Sequence, residues 1–78
     1  MAKIRCIVEF SGNAEKWIYA VKAVRQYTGV GLREARDSVL EAIRYGKTVE
    51  VKTRTKKAAI ALVVALRDQG LLASYRRE

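Results

Sequence analysis

From Ile4 to Phe10 every second residue is apolar: Ile4, Cys6, Val8 and Phe10, with Arg5 and Glu9 pointing the other way. That two-residue period is the signature of a half-buried strand. Ser11-Gly12-Asn13 is turn chemistry, and Ser11 or Asn13 is expected to cap the helix that follows. Residues 14 to 27 carry Trp17, Ala20, Val24 and Tyr27 at spacings of three and four, one face of a helix that Thr28-Gly29 ends. Leu32, Ala35, Val39, Ala42 and Ile43 restart the helical period and Gly46 closes it, so the two helices must turn sharply on each other. Alternation returns from Thr48 to Lys52 with Val49 and Val51 inward. Thr53 or Thr55 is positioned to cap a third helix, which runs to about Gln69 before Gly70. Leu71, Ala73 and Tyr75 alternate with Leu72 and Ser74 as a last strand. The pattern predicts a single α+β domain over residues 1–78, ordered β-α-α-β-α-β. It is a two-layer sandwich with three helices on one face of a small three-stranded sheet.

Composition narrows the class. Half of the 78 residues are hydrophobic and 31% are charged, too apolar a mixture for intrinsic disorder. The single cysteine, Cys6, has no internal partner for a disulfide, and a reducing, cytoplasmic setting is expected. Met1-Ala2-Lys3-Ile4-Arg5 runs straight into the alternating segment without a secretory pattern. The longest apolar run, Ala58 to Leu66, falls far short of the roughly 20 residues that cross a bilayer, so no membrane partner is expected.

Catalytic chemistry is sparse. The chain has no histidine, so the commonest general base and metal ligand is missing, and one inward-facing cysteine makes no zinc site. Ser11, Ser38 and Ser74 have no base to activate them. Gly29-Val30-Gly31 follows a helix and lacks the third glycine of a dinucleotide fingerprint and the Gly-Lys-Ser/Thr of a phosphate loop, so it reads as helix punctuation. Glu34 and Asp37 lie in the first turns of the second helix, where the dipole favours carboxylates without any catalytic role. No catalytic residue, metal or cofactor is expected. Among the aromatics, Tyr19 has the helical phase most open to stacking on a base.

The segment from Ala20 to Asp37 carries Lys22, Ala23, Val24, Arg25, Thr28, Gly29, Gly31, Leu32, a basic residue at 33, Glu34, Ala35, a basic residue at 36 and Asp37. This run closely resembles the C-terminal domain of the bacterial ribosomal stalk protein L7/L12, most strongly over residues 17 to 41. The resemblance implies a non-enzymatic docking module that presents a basic and apolar patch to translational GTPases at the ribosome. Matched position by position, the patch falls on Ile18, Val21, Lys22, Arg25 and Arg36. Residues 18, 21, 22 and 25 also share one helical stripe by spacing alone. The sequence holds no counterpart of the family's dimerising N-terminal domain and hinge, and Trp17 stands where the family usually carries lysine. The protease adaptor ClpS shares the architecture, but its acidic peptide-end pocket has no evident counterpart.

Charge departs further from the resembled family. Sixteen Lys and Arg against eight Asp and Glu give a net charge of +8. Residues 1–39 hold seven basic and four acidic side chains and residues 40–78 hold nine and four, so basicity runs through the whole chain. Lys52, Arg54, Lys56 and Lys57 crowd the start of the third helix, where the macrodipole disfavours cations. With Arg76 and Arg77 they read either as a phosphate site for RNA or DNA or as a solvated cationic face. The nine apolar residues from Ala58 to Leu66 cover the full circumference of the third helix. Ile60, Val63 and Val64 are then available for self-association as a homodimer, the alternative being a wider core. The leading expectation is docking onto an acidic protein surface, such as a translational GTPase or another ribosome component. The second is nucleic-acid binding.

Overall fold

A computed structural model describes residues 5–78. The elements run β1 (Cys6–Ser11), α1 (Trp17–Thr28), α2 (Leu32–Tyr45), β2 (Val49–Thr53), α3 (Lys56–Asp68) and β3 (Leu72–Arg77), the expected β-α-α-β-α-β order. Ile4, the expected first inward residue of β1, lies outside the described residues. β1 is the central strand of an antiparallel sheet ordered β2-β1-β3. Its register sets Cys6 against Thr53 and Arg77, Val8 against Val51 and Tyr75, and Phe10 against Val49 and Ala73. Cys6, Val8 and Phe10 are fully buried under the helices, whereas Ile7, Glu9 and Ser11 alternate onto the opposite, open face.

The helical layer is closed by local chemistry. α1 ends at Gly29, whose φ of 76° is left-handed and whose N–H donates to the Arg25 carbonyl. Gly46 ends α2 in the same conformation, at φ 63°. A side chain with a Cβ resists that region, so these two glycines set where the helices stop. Thr28 Oγ1 donates to the Val24 carbonyl and accepts from Val30 N–H, which ties the tight connection into α2. Of the two candidate caps for α3, Thr55 performs the role: its hydroxyl accepts from Ala58 N–H at 3.0 Å. Thr53 is instead buried at the edge of the sheet and donates to the Thr55 carbonyl.

The first helix differs from expectation. It begins at Trp17, its N-cap is Lys16, and neither Ser11 nor Asn13 caps it. Residues 12–16 are needed to carry the chain from the sheet to the helical layer, and Ala14 is buried on the way.

α1 packs against both α2 and α3, which do not approach each other, so α1 is the middle helix. Besides its inner side, it therefore has a neighbour on each flank. Ala20, Val21, Ala23 and Val24 are all buried as a result, a wider sector than a helix on a sheet alone requires. Phe10, Leu62, Leu66, Val8, Val24 and Val39 fill the interlayer core, each fully buried aliphatic or aromatic side chain stabilising the fold by about 1.5–3 kcal/mol.

Candidate functional site

The residues of the carried-over patch divide. Val21 is only 3% exposed and belongs to the core, because the flanking helices widen the buried sector of α1. Ile18, Lys22, Arg25 and Arg36 are on the surface. Ile18, Lys22 and Arg25 follow one another at i, i+4 and i+7 and form a single stripe along α1. Arg36 joins them from the second turn of α2.

Between the two helices lies an open groove of about 600 Å³. Trp17, Ile18 and Val21 line it from α1, and Leu32, Arg33, Arg36 and Asp37 from α2. Leu32, expected in the core from its period, is 56% exposed and forms one wall. Its side chain leans toward the helix N-terminus, and at the first residue of α2 no further turn lies beneath it. Trp17 is half-buried for the same reason at the first residue of α1. Two helix starts thus leave apolar side chains incompletely covered: Leu32 is exposed, and Trp17 packs in part against the core and in part faces the groove. Periodicity alone assigned Trp17 and Leu32 to the core; their position at the first residue of a helix is the signal that marks them for the groove.

The cations around this groove hold no carboxylate. Lys22, Arg25, Arg33 and Arg36 take part in no ion pair among the described residues. Lys22 Nζ sits 5.6 Å from the Tyr19 ring centroid, so it covers the aromatic face expected to be open for stacking. The groove therefore offers an apolar floor with Arg33 and Arg36 in its lining beside one acidic residue, Asp37, while Lys22 and Arg25 extend the positive charge along α1 from Ile18.

The other basic group is split by the sheet. Lys52 and Arg76 both oppose Ile7 in the register, which puts them on the open face of the sheet. There Lys52 Nζ bonds Glu78 Oε1 at 2.9 Å, while Arg76 pairs with both Glu9 and Glu50. These contacts reach from one edge strand to the other across β1. Lys52 and Arg76 are thereby removed from the phosphate cluster expected at the start of α3. Arg54, Lys56 and Lys57 remain there, exposed and outside any ion pair among the described residues, and Arg77 ends β3 two strands away in the row of Cys6 and Thr53.

Of the three residues expected to mediate self-association, Ile60 and Val64 are 42% and 53% exposed. Val63 is 5% exposed and packs into the core, since α1 alongside widens the buried sector of α3. Cys6 is buried and free. Among the described residues no group of acidic, cysteine or histidine side chains is arranged to hold a metal ion, and no helix is long and apolar enough to cross a membrane. No protein-family model matches the chain, and no curated protein matches it in sequence.

Proposed function

We propose that the chain is a non-catalytic protein-docking module that receives an acidic partner on the α1–α2 face, as the resemblance to the ribosomal stalk domain implies. The observation that carries this reading is the groove itself: exposed Ile18 and Leu32 beside Trp17, with Arg33 and Arg36 in its lining and Lys22 and Arg25 continuing the Ile18 stripe along α1, all four cations without carboxylate partners among the described residues. Apolar area supplies contact energy, and cations at the rim raise the association rate and select for acidic surfaces. Translational GTPases are the partner class to test first. The test is calorimetric titration of the chain with a purified bacterial translational GTPase, wild type against Lys22→Glu/Arg25→Glu. Binding by the wild type and its loss in the variant, at unchanged melting temperature, is the expected result. Undiminished binding by the variant removes this face from the site.

Nucleic-acid binding is the second reading, and Arg54, Lys56 and Lys57 favour it by standing unpaired at an amide-rich helix start. On that reading, RNA affinity falls steeply with salt, and replacing all three by alanine lowers the slope of log affinity against log salt by about 2–3.

A further inference from the structure

Three of the four charges of α3 oppose its own macrodipole, Arg67 in the last turn being the exception. Lys56 and Lys57 occupy the first turn, no acidic residue accompanies them, and Asp68 is the last helical residue. Cations at the positive end and a carboxylate at the negative end each destabilise an isolated helix. The same helix carries an unpartnered stripe: Lys57, Ile60, Ala61, Val64 and Asp68 follow at i, i+3, i+4, i+7 and i+11, one face by helical spacing. Four of the five are exposed and Ala61 is partly so. Basic at its start, apolar in its middle and acidic at its end, this stripe complements itself when a copy is laid across it in the opposite direction.

We propose that the α3 stripe docks a second copy of this chain as an antiparallel helix pair. In that register Lys57 meets the partner's Asp68 at both ends. Val64 packs over the partner's Ala61, and Ile60 reaches the partner's Ala65, a partly buried residue at the edge of the stripe, so large side chains meet small ones. Each lysine then lies at the negative end of the facing dipole and each Asp68 at the positive end, which reverses the unfavourable sign found in the single chain. The α1–α2 groove lies on the other side of α1 and stays open in such a pair, so the inference does not rest on the proposed docking function. A 13-residue helix is about 20 Å long. One pair of them buries less than a standard interface, and two +8 chains repel each other over a Debye length. The dimer is therefore weak, with a dissociation constant in the high-micromolar range, and it tightens as salt screens the repulsion.

Analytical ultracentrifugation up to millimolar concentration at physiological salt tests this, with melting temperature measured in parallel. The wild type should show a reversible monomer–dimer equilibrium. Lys57→Asp and Asp68→Lys should each weaken it by about tenfold or more, because like charges then meet at both ends. Each substitution also suits the helix's own dipole, so the melting temperature should hold or rise, which separates lost association from lost folding. The double variant Lys57→Asp/Asp68→Lys should regain the dimer, since the antiparallel pairing is restored with its signs exchanged. A wild type that remains monomeric, single variants that associate like the wild type, or a double variant that fails to recover each overturns the proposal. The last outcome is what a parallel pair or another occupant of this face produces.

Discussion

The open face of the sheet and the outer surface of the helices use cations in opposite ways. On the sheet, Arg5, Lys52 and Arg76 share a face with Glu9, Glu50 and Glu78, and Arg76 and Lys52 clasp the two edge strands across β1. Charge there is balanced and committed to holding three strands in register. On the helices, Lys22, Arg25, Arg33, Arg36, Lys56 and Lys57, with Arg54 in the turn before α3, hold no carboxylate among the described residues, and the same surface exposes Ile18, Leu32, Ile60 and Val64. Among the described residues the net positive charge is therefore presented outside the open sheet face, where three cations and three carboxylates cancel. A net charge becomes a functional statement only after its paired members have been set aside.

The largest effect that separates interior from surface lies within α3. Leu62→Ala removes a fully buried side chain between the layers and should cost about 2–5 kcal/mol in chemical denaturation. Ile60→Ala, two residues earlier on the outer ridge, should change the same measurement by no more than about 1 kcal/mol, because that side chain leaves little cavity behind. Equal losses at the two positions would mean that Ile60 is packed and that the outer ridge is not a free surface.

That contrast also marks how far the sequence was legible. The order of elements, the alternation of β1, and the glycine stops after α1 and α2 all follow from local pattern, which also narrows the cap of α3 to Thr53 or Thr55; the structure selects Thr55. Val21 and Val63 lie in the core although the sequence places them on the surface, because helical period identifies the face toward a sheet but carries no information about neighbours at the sides. α1 is the middle helix, and that arrangement buries both. Leu32 departs in the opposite direction, exposed where the period expects core, since a helix start has no turn beneath it. The ion pairs of Lys52 and Arg76 depend on strand register between segments some 26 residues apart. The alternation of Val49 and Val51 already turns Lys52 to the outer face of its strand, but nothing near it in the sequence reveals that Glu78 lies there to pair with it.

A middle-sized effect tests the sheet face directly. Glu9 and Glu50 oppose each other in the β1–β2 register, and Arg76 pairs with both. Arg76→Met keeps most of the aliphatic stem and removes the charge, leaving two carboxylates directly opposed. Partly exposed pairs are individually weak, yet this one bridges two like charges, and the loss should be about 1 kcal/mol. Added salt should shrink it. Arg36→Met at the groove should leave stability unchanged within about 0.5 kcal/mol, since no carboxylate depends on it. If both substitutions cost the same, the division into committed and free cations fails.

The smallest effect concerns the second clasp. A hydrogen bond from the Lys52 ammonium, followed by the charge of the same group and then that of Arg5, holds the Glu78 carboxyl below its ordinary value. A carboxyl depressed in the folded state contributes stability above its unfolded pKa and loses that contribution as pH falls through the folded pKa. The melting temperature of the wild type should therefore exceed that of Lys52→Met slightly at neutral pH, and the difference should close as the solution is acidified below the usual glutamate range, about 4.3. Both groups are solvent-exposed, so the shift is small and should also fade in high salt. A difference that persists at low pH would mean that Lys52 does not act through the Glu78 carboxylate, since Met keeps most of the stem and protonation removes only the partner's charge. The open face would then be held by one charged clasp, at Arg76, and not by two.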